Sequence, residues 1–279
     1  MSRRTIGRPA SVEGVGLHMG EPCRLTFLPA PAGTGITFRR TESNATWEIP
    51  AHASVAVLAE RRTQLGTGNE ALHTVEHVLA AVVAAGMDDL IIEMNGPEPP
   101  IADGSAAPFL HALREAGSAE QEGSVSALRL SEPVRVTDGE STYEAYPAES
   151  LELDVTIRFP HPLIGEQRWQ GAISSESFSR ELAAARTFGF VHEVEALKSR
   201  GLIRGATTAN AVVLDDAGLV DCRLRWPDEF VRHKAMDCVG DLALAGARVK
   251  ARVVADRPSH RGTVLLVREM LAHGRLEEA

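Results

Sequence analysis

One segment near the C-terminal end of the chain places polar side chains at regular spacing inside an apolar helical pattern. Across residues 230–242, His233, Asp237 and Asp241 recur at every fourth position, so on a helix they share one face. The residues around them are apolar, and a buried carboxylate is costly unless a positive group lies beside it. A divalent cation bound by two of these side chains would meet that need. The spacing also fits a solvated polar stripe that contains a histidine by chance.

A second helical pattern, over residues 72–82, carries Glu76 and His77 in an otherwise apolar run. If His77 supplies a third ligand, two histidines and one carboxylate leave an open fourth position, which is typical of catalytic zinc sites that hold a water. Glu76 would then stand beside that water as its base. The other interpretation is that both residues only cap the start of the helix.

Two further segments carry side chains that suit a reaction centre. His260 lies in the turn-rich stretch 256–262 after a predicted strand, so we expect it in a loop, where functional residues are common. Within residues 186–190, Thr187 stands between a cation and two aromatic residues and could donate to an oxyanion beside an apolar wall. Taken alone, each segment also fits an ordinary role, as a surface histidine and as phenylalanines of the core.

Composition and charge exclude several classes of function. The net charge is -9 and the basic residues are scattered, so we expect no nucleic-acid partner, although a pocket can still bind one phosphorylated small molecule. The longest apolar run, residues 78–87, is about half of the roughly 20 residues needed to span a bilayer, so we expect no transmembrane segment. The N-terminus lacks the apolar stretch of a signal peptide, and three cysteines without CxxC spacing suit a reducing compartment. Both features predict a cytoplasmic protein.

The order of the predicted elements indicates an α+β fold. Strand-like alternation comes first and helices follow, and the same order recurs after residues 117–126, a small, polar and acidic stretch with the composition of an exposed linker. We therefore expect two α+β domains, at residues 1–122 and 127–279. The expected helices are 73–85, 107–116, 175–185, 193–200 and 227–245, and the expected strands are 23–28, 35–39, 90–94, 127–136, 142–145, 151–159, 211–214 and 248–254.

Several of these segments together form a pattern that spans nearly the whole chain. They are GVGLH at 14–18, TVEH at 74–77, PIADGSAAPF at 100–109, RTFGF at 186–190 and DEFVRHKAMD at 228–237, with His260 after them. In sequence and in order they resemble the UDP-3-O-acyl-N-acetylglucosamine deacetylase family, the zinc amidases of lipid A biosynthesis.

The resemblance implies the fold, the cofactor and the reaction of the chain. The implied fold has two α+β domains packed as a sandwich around the active site, each with a small insert, and the second insert, at about residues 190–208, lines a passage for an acyl chain. The implied cofactor is one Zn²⁺ per chain. The implied partner is an acylated UDP-amino-sugar, UDP-3-O-(3-hydroxyacyl)-N-acetylglucosamine, whose N-acetyl group is hydrolysed with release of acetate. We also expect a monomer.

The resemblance also implies a role for each residue of the site. The residues implied as zinc ligands are His77, His233 and Asp237. The groups implied in catalysis are the general base Glu76, the second catalytic group His260, its orienting carboxylate Asp241 and the oxyanion donor Thr187. The residues implied at the substrate site are Phe188, Phe190, Lys234 and His18, with Asp103 in a supporting position.

Two other functions use similar residues. A ligand set of two histidines and one carboxylate also describes the facial triad of non-haem iron oxygenases, but an adjacent glutamate favours hydrolysis. A nucleotide-sugar or lipid-binding regulator that kept the fold and lost turnover is the alternative outside catalysis. Release of acetate from the UDP substrate without oxygen would exclude both.

Overall fold

The structure of the protein is a computed structural model that describes residues 2–42 and 45–278. The α-helices in these ranges are α1 (Glu76–Ala85), α2 (Ala107–Ala116), α3 (Ser175–Glu181), α4 (Val194–Ser199), α5 (Glu229–Leu242) and α6 (His260–His273). The strands are β1 (Ser2–Ile6), β2 (Ala10–Val15), β3 (Pro22–Pro29), β4 (Ile36–Glu42), β5 (Ala45–Pro50), β6 (Ala56–Val57), β7 (Gln64–Leu65), β8 (Leu72–His73), β9 (Leu90–Met94), β10 (Ser118–Ser124), β11 (Ser126–Arg129), β12 (Val134–Asp138), β13 (Ser141–Pro147), β14 (Glu152–Phe159), β15 (Gly165–Ala172), β16 (Phe188–Phe190), β17 (Val212–Asp215), β18 (Gly218–Val220), β19 (Arg248–Asp256) and β20 (Arg275–Glu278).

The first half of the chain builds a five-stranded sheet in the order β2-β3-β9-β4-β5. Neighbouring strands are antiparallel except β4 and β9, which run parallel. Buried and less buried residues alternate along β3, and Leu25 and Phe27 have no exposed surface. This alternation turns one face of the sheet towards an apolar core that also contains the buried side chains of α1 and α2.

The second half of the chain builds a seven-stranded sheet around β19. The first residues of β19 pair with β11, which runs parallel to it. Further along, β19 lies between β13, which is antiparallel to it, and β14, which is parallel to it. The sheet continues from β13 to β12, from β14 to β15 and from β11 to β20. Helix α5 packs against β14 and β15, and α6 packs against β12 and β13. Helices that cover mixed sheets in this way confirm the predicted α+β class.

The two halves meet where α1 packs against α5. A Cβ atom at Gly240 would lie 2.0 Å from the backbone carbonyl oxygen of Glu76, so this separation of the helices requires glycine. Because Glu76 and His77 begin α1, the contact places both residues beside the polar face of α5. A single glycine in α5 therefore helps to set the geometry of the predicted site.

Replacement of Gly240 by alanine should destabilise the protein and reduce its activity. In a helix interior, alanine is ordinarily favoured over glycine by about 1 kcal/mol. Here the added methyl group would push α1 and α5 apart, and overpacking of this kind costs about 1–3 kcal/mol. We expect the free energy of unfolding, measured by urea denaturation, to fall together with kcat. A variant as stable as the parent protein would show that the two helices do not depend on this contact.

The stretch 117–126 is predicted to be an exposed linker, and most of it is exposed, but it forms regular structure and Val125 is buried. Most of it forms β10, which pairs antiparallel with β1. Strand pairing uses backbone N–H and C=O groups, so a polar sequence without apolar alternation can form it. The division of the chain into domains 1–122 and 127–279 stays a prediction.

The predicted loop position of His260 is also wrong, because His260 is the first residue of α6. The side chain of Ser259 caps this helix by accepting a hydrogen bond from the N–H of Gly262 at 3.1 Å. Other expected elements fit more closely: α2 and β9 have the predicted bounds, whereas the predicted helix 175–185 ends at Glu181. None of the helices in the described ranges has the length and apolar character that crossing a bilayer requires.

Candidate metal centre and its surroundings

Three side chains with metal-binding atoms converge where α1 meets α5. His77, His233 and Asp237 each offer one ligand atom, and these atoms lie within 4.8 Å of one another. His233 and Asp237 are one helical turn apart on α5, with Nε2 and Oδ1 separated by 3.4 Å. The Nε2 atom of His77 lies 3.6 Å from the same oxygen. The structure therefore brings together the three residues that the sequence predicts as metal ligands.

The Oδ1 atom of Asp237 lacks a partner in this cluster. Asp237 is 2% exposed, and no group among the described residues donates a hydrogen bond to this buried oxygen. An unsatisfied carboxylate oxygen in the interior is costly, whereas a divalent metal ion would satisfy it. Two imidazoles and one carboxylate are also the donors that catalytic zinc sites use. The residues present thus fit a zinc ion.

The protonation states in the cluster also suit a cation. Burial lowers the pKa of His233 to about 3, so its imidazole is neutral near pH 7, as a metal ligand must be. Its Nδ1 lies 3.1 Å from the carbonyl oxygen of Ala185, which can accept the Nδ1–H and leave Nε2 facing the cluster. Burial raises the pKa of Asp237, but His233, which becomes charged only in acid, and the ammonium of Lys234 outweigh burial and hold this pKa well below its usual range.

Glu76 is buried at the start of α1, and its two carboxylate oxygens have different surroundings. Oε2 accepts a hydrogen bond from the backbone N–H of Thr63 at 3.0 Å. Oε1 lies 3.6 Å from Nε2 of His260. Burial raises the pKa of Glu76, although the neighbouring His260 and His77 act in the opposite direction. A carboxylate with a raised pKa is suited to accept a proton near neutral pH.

His260 approaches Glu76 from the start of α6. Its Nδ1 atom lies 3.1 Å from Oδ2 of Asp241, and its Nε2 atom lies 3.7 Å from Oδ2 of Asp237. Burial lowers the pKa of His260, but the carboxylates of Asp241 and Glu76 outweigh burial and raise it to about 9. The imidazole is therefore protonated near pH 7. Asp241 occupies the Nδ1 side of the ring, and Nε2 can donate a proton.

Thr187 is fixed by its backbone beside the loop that precedes α2. Its N–H donates to the carbonyl oxygen of Gly104, and its own carbonyl accepts from the N–H of Val212, both at 2.8 Å. Gly104 has a φ of +88°, and a Cβ atom there would lie 2.2 Å from the carbonyl oxygen of Asn210, so the loop requires glycine at this position. Donation by the Thr187 hydroxyl to an oxyanion stays a prediction.

A group of aromatic side chains borders the cluster beside His233. The ring centroid of Phe188 lies 6.2 Å from that of His233 and 5.0 Å from that of Phe230. Phe159 contacts Phe188 and Phe190, with centroid separations of 5.5 and 5.8 Å. Because Phe188 and Phe190 are only partly buried, their rings could also contact a bound molecule. The arrangement agrees with an apolar wall, and its contact with a substrate stays a prediction.

The remaining residues predicted at the substrate site have partners within the protein. Lys234 donates to Oδ2 of Asp237 at 2.8 Å. His18 is buried, and its Nδ1 accepts from the N–H of Ile203 at 3.3 Å, within the predicted second insert. Asp103 forms an ion pair with Arg225 at 2.8 Å. These contacts account for Lys234 and Asp103, whereas the buried Nε2 atom of His18 has no hydrogen-bond partner among the described residues. The substrate roles of Lys234 and His18 stay predictions.

Two buried residues that hold the site together were missed by prediction from sequence. Thr63 contacts the side chains of three predicted catalytic groups. Glu98 accepts hydrogen bonds from the backbone N–H groups of His18 and Met19. A lone acidic residue within the proline-rich stretch 96–100 is the only local signal of Glu98. No local signal marks Thr63, because its partners are distant along the chain.

Comparison with known proteins finds one family over almost the entire chain. A family model described as UDP-3-O-acyl N-acetylglycosamine deacetylase matches residues 3–272. Three similar proteins each carry the name UDP-3-O-acyl-N-acetylglucosamine deacetylase. The one from Anaeromyxobacter sp. (strain Fw109-5) is 41% identical over 272 residues, which cover 97% of this chain and 89% of the relative. Those from Geobacter sp. (strain M21) and Myxococcus xanthus (strain DK1622) are 42% and 41% identical, covering 96% and 97% of this chain and 88% and 87% of the relatives.

Proposed function

The chain belongs to the UDP-3-O-acyl N-acetylglycosamine deacetylase family, and from this premise we propose that it hydrolyses the N-acetyl group of UDP-3-O-(3-hydroxyacyl)-N-acetylglucosamine in lipid A biosynthesis. The products are acetate and the free 2-amine. The observation that carries the proposal is the buried cluster of His77, His233 and Asp237, flanked by Glu76 and His260. A cytoplasmic location and a monomeric state belong to the same proposal.

We assign one Zn²⁺ per chain to the cluster of His77, His233 and Asp237. Support comes from the unsatisfied Oδ1 of Asp237 and from the neutral imidazole of His233. Zinc held by two histidines and one carboxylate polarises an amide carbonyl and lowers the pKa of a bound water towards ~7. Membership of this family also argues against an iron oxygenase and against a regulator without turnover.

The groups around the cluster divide the proton transfers of amide hydrolysis between them. Glu76 accepts a proton from the attacking water through Oε1, the carboxylate oxygen that Thr63 leaves free. The water oxygen bonds to the acetyl carbon, and the hydroxyl of Thr187 donates a hydrogen bond to the oxyanion. The carbon–nitrogen bond then breaks as the nitrogen takes a proton from Nε2 of His260. The proton held by Glu76 then passes to Nε2 of His260, which lies 3.6 Å from Oε1, so both groups are restored and one water is added across the amide bond in total.

Replacement of His260 by glutamine should retain zinc and lower kcat by roughly 10²–10³-fold, because glutamine cannot protonate the leaving nitrogen. Only the imidazolium form can donate, so activity of the parent protein should fall as pH rises through the pKa of His260. The variant should lose this contribution to the alkaline limb of the pH profile. Zinc content measured beside kcat distinguishes the roles: a variant with half the zinc or less would make His260 a metal ligand instead of the acid.

Mass spectrometry of the zinc-loaded protein incubated with the acylated substrate tests the proposed reaction. We expect acetate and a product in which one acetyl group is replaced by hydrogen, formed without oxygen or a co-substrate. Protein treated with a chelator serves as the control and should leave the substrate unchanged. If the zinc-loaded protein also left the substrate unchanged, the proposed function would be wrong.

A further inference from the structure

Thr63 contacts both groups to which proton transfer is assigned. Its side chain is buried in the segment just before β7, with 1% of the residue exposed. Its backbone N–H donates to Oε2 of Glu76 at 3.0 Å. Its hydroxyl donates to Oδ1 of Asp241. The hydroxyl oxygen of Thr63 also lies 3.3 Å from Nδ1 of His260. One small side chain therefore links the predicted base to the predicted acid.

The backbone of Thr63 is itself held in place by the start of α1. Its carbonyl oxygen accepts from the N–H of Val75, the residue that precedes Glu76. The next residue, Gln64, begins β7 and pairs with His73 in β8. Hydrogen bonds on both sides of the peptide unit thus fix Thr63 relative to Glu76. A fixed anchor of this kind can orient the groups that it contacts.

These contacts determine which atoms face the reaction. The Oε2 atom of Glu76 is occupied by Thr63, so Oε1 is the oxygen left to accept a proton. The Nδ1 atom of His260 is occupied by Asp241 and Thr63, so Nε2 is the nitrogen left to donate one. The two free atoms lie 3.6 Å apart, on the side of the metal cluster. Without the Thr63 hydroxyl, Asp241 would lose a hydrogen bond that fixes its orientation.

We propose that Thr63 is a positioning residue for the deacetylation. Its hydroxyl acts through Asp241 on His260, and its backbone N–H acts on Glu76. The inference rests on the proposed function, because it assumes that Glu76 and His260 move protons. A merely structural threonine would affect the stability of the fold. A positioning threonine affects the rate of the chemical step at equal substrate affinity, and a serine in its place retains the effect.

The test compares Thr63→Val, which removes the hydroxyl and keeps the backbone N–H, with Thr63→Ser, which keeps both. We expect Thr63→Val to bind as much zinc per chain as the parent protein and to keep KM within about twofold of the parent value. Its kcat should fall by roughly 10–100-fold, the usual effect of losing a residue that orients a group of the site. Thr63→Ser should stay within about threefold of the parent kcat. The matched control is Thr5→Val, since Thr5 is also buried and its hydroxyl accepts from the N–H of Ala30, far from the site.

Three results would overturn the inference while leaving the proposed function intact: parent kcat in Thr63→Val, a raised KM at unchanged kcat, or an equal loss in Thr63→Ser. If Thr63→Val does not fold, Thr63→Ala provides the same contrast with serine. A parent protein that releases no acetate would instead contradict the proposed function.

A second experiment combines Thr63→Val and Asp241→Asn in one double variant. The combined loss should be much smaller than the product of the single losses, and independent losses would contradict action through Asp241.

Discussion

Glu76→Gln should lower kcat by roughly 10²–10⁴-fold while the zinc content stays at one per chain. The amide has nearly the shape of the carboxylate, and its oxygen can still accept from the N–H of Thr63. It cannot take a proton from water. Burial raises the pKa of Glu76, which makes the carboxylate a better base than an exposed glutamate, so its replacement should affect the chemical step directly.

The Glu76 variant needs a control that separates loss of the base from a general loss of charge. Glu70→Gln makes the same chemical change at an exposed position a short distance before α1 and should leave kcat unchanged. Acetate release and bound zinc are measured on each variant. If Glu76→Gln lost its zinc, Glu76 would be a ligand, and if it kept the parent kcat, another group would have to be the base.

Removal of the acyl chain from the substrate should cost about three powers of ten in kcat/KM. Burial of each methylene contributes about 0.8 kcal/mol of binding free energy, so about five buried methylenes contribute about 4 kcal/mol. This energy corresponds to close to 10³-fold in kcat/KM. The partly buried rings of Phe188 and Phe190 lead from the cluster into the segment 190–208, where Val191 is 45% exposed. UDP-N-acetylglucosamine should therefore be a very poor substrate, and kcat/KM should rise stepwise with chain length.

A charged residue in the proposed passage tests the same idea from the side of the protein. Val191→Asp should lower kcat/KM for the acylated substrate and leave the slow turnover of UDP-N-acetylglucosamine unchanged. Leu276→Asp makes the same change at another exposed apolar side chain, on β20, and should affect neither substrate. Equal kcat/KM for acylated and unacylated substrates would rule out a passage for the acyl chain.

Local patterns in the sequence were sufficient to predict part of the site. His233, Asp237 and Asp241 lie on α5 at every fourth position, so helical periodicity alone places them together, and the structure has this helix. The juxtaposition of His77 and His260 with α5 depends on packing between elements far apart in the chain. For those residues, prediction relied on resemblance to a family.

The missed features have in common that their causes are not local. The exposed strand β10 exists because β1 offers it a pairing edge, not because its own residues favour a strand. Helix α6 has a glycine near its start, which weakens the helical pattern, but Gly262 is needed there because a Cβ atom would lie 2.2 Å from the hydroxyl of Tyr143. Thr63 became visible only when the structure placed Glu76 and Asp241 on either side of it.

Zinc content measured together with acetate release tests the central claim most directly. The purified protein should contain one zinc per chain, should lose both metal and acetate release on treatment with a chelator, and should regain both when zinc is added back. His77, His233 and Asp237 are the only cluster of metal-binding side chains found in the described residues, so a single site should account for the entire effect. Full acetate release by chelated protein that contains no measurable metal would contradict the assignment of this chain as a zinc-dependent deacetylase.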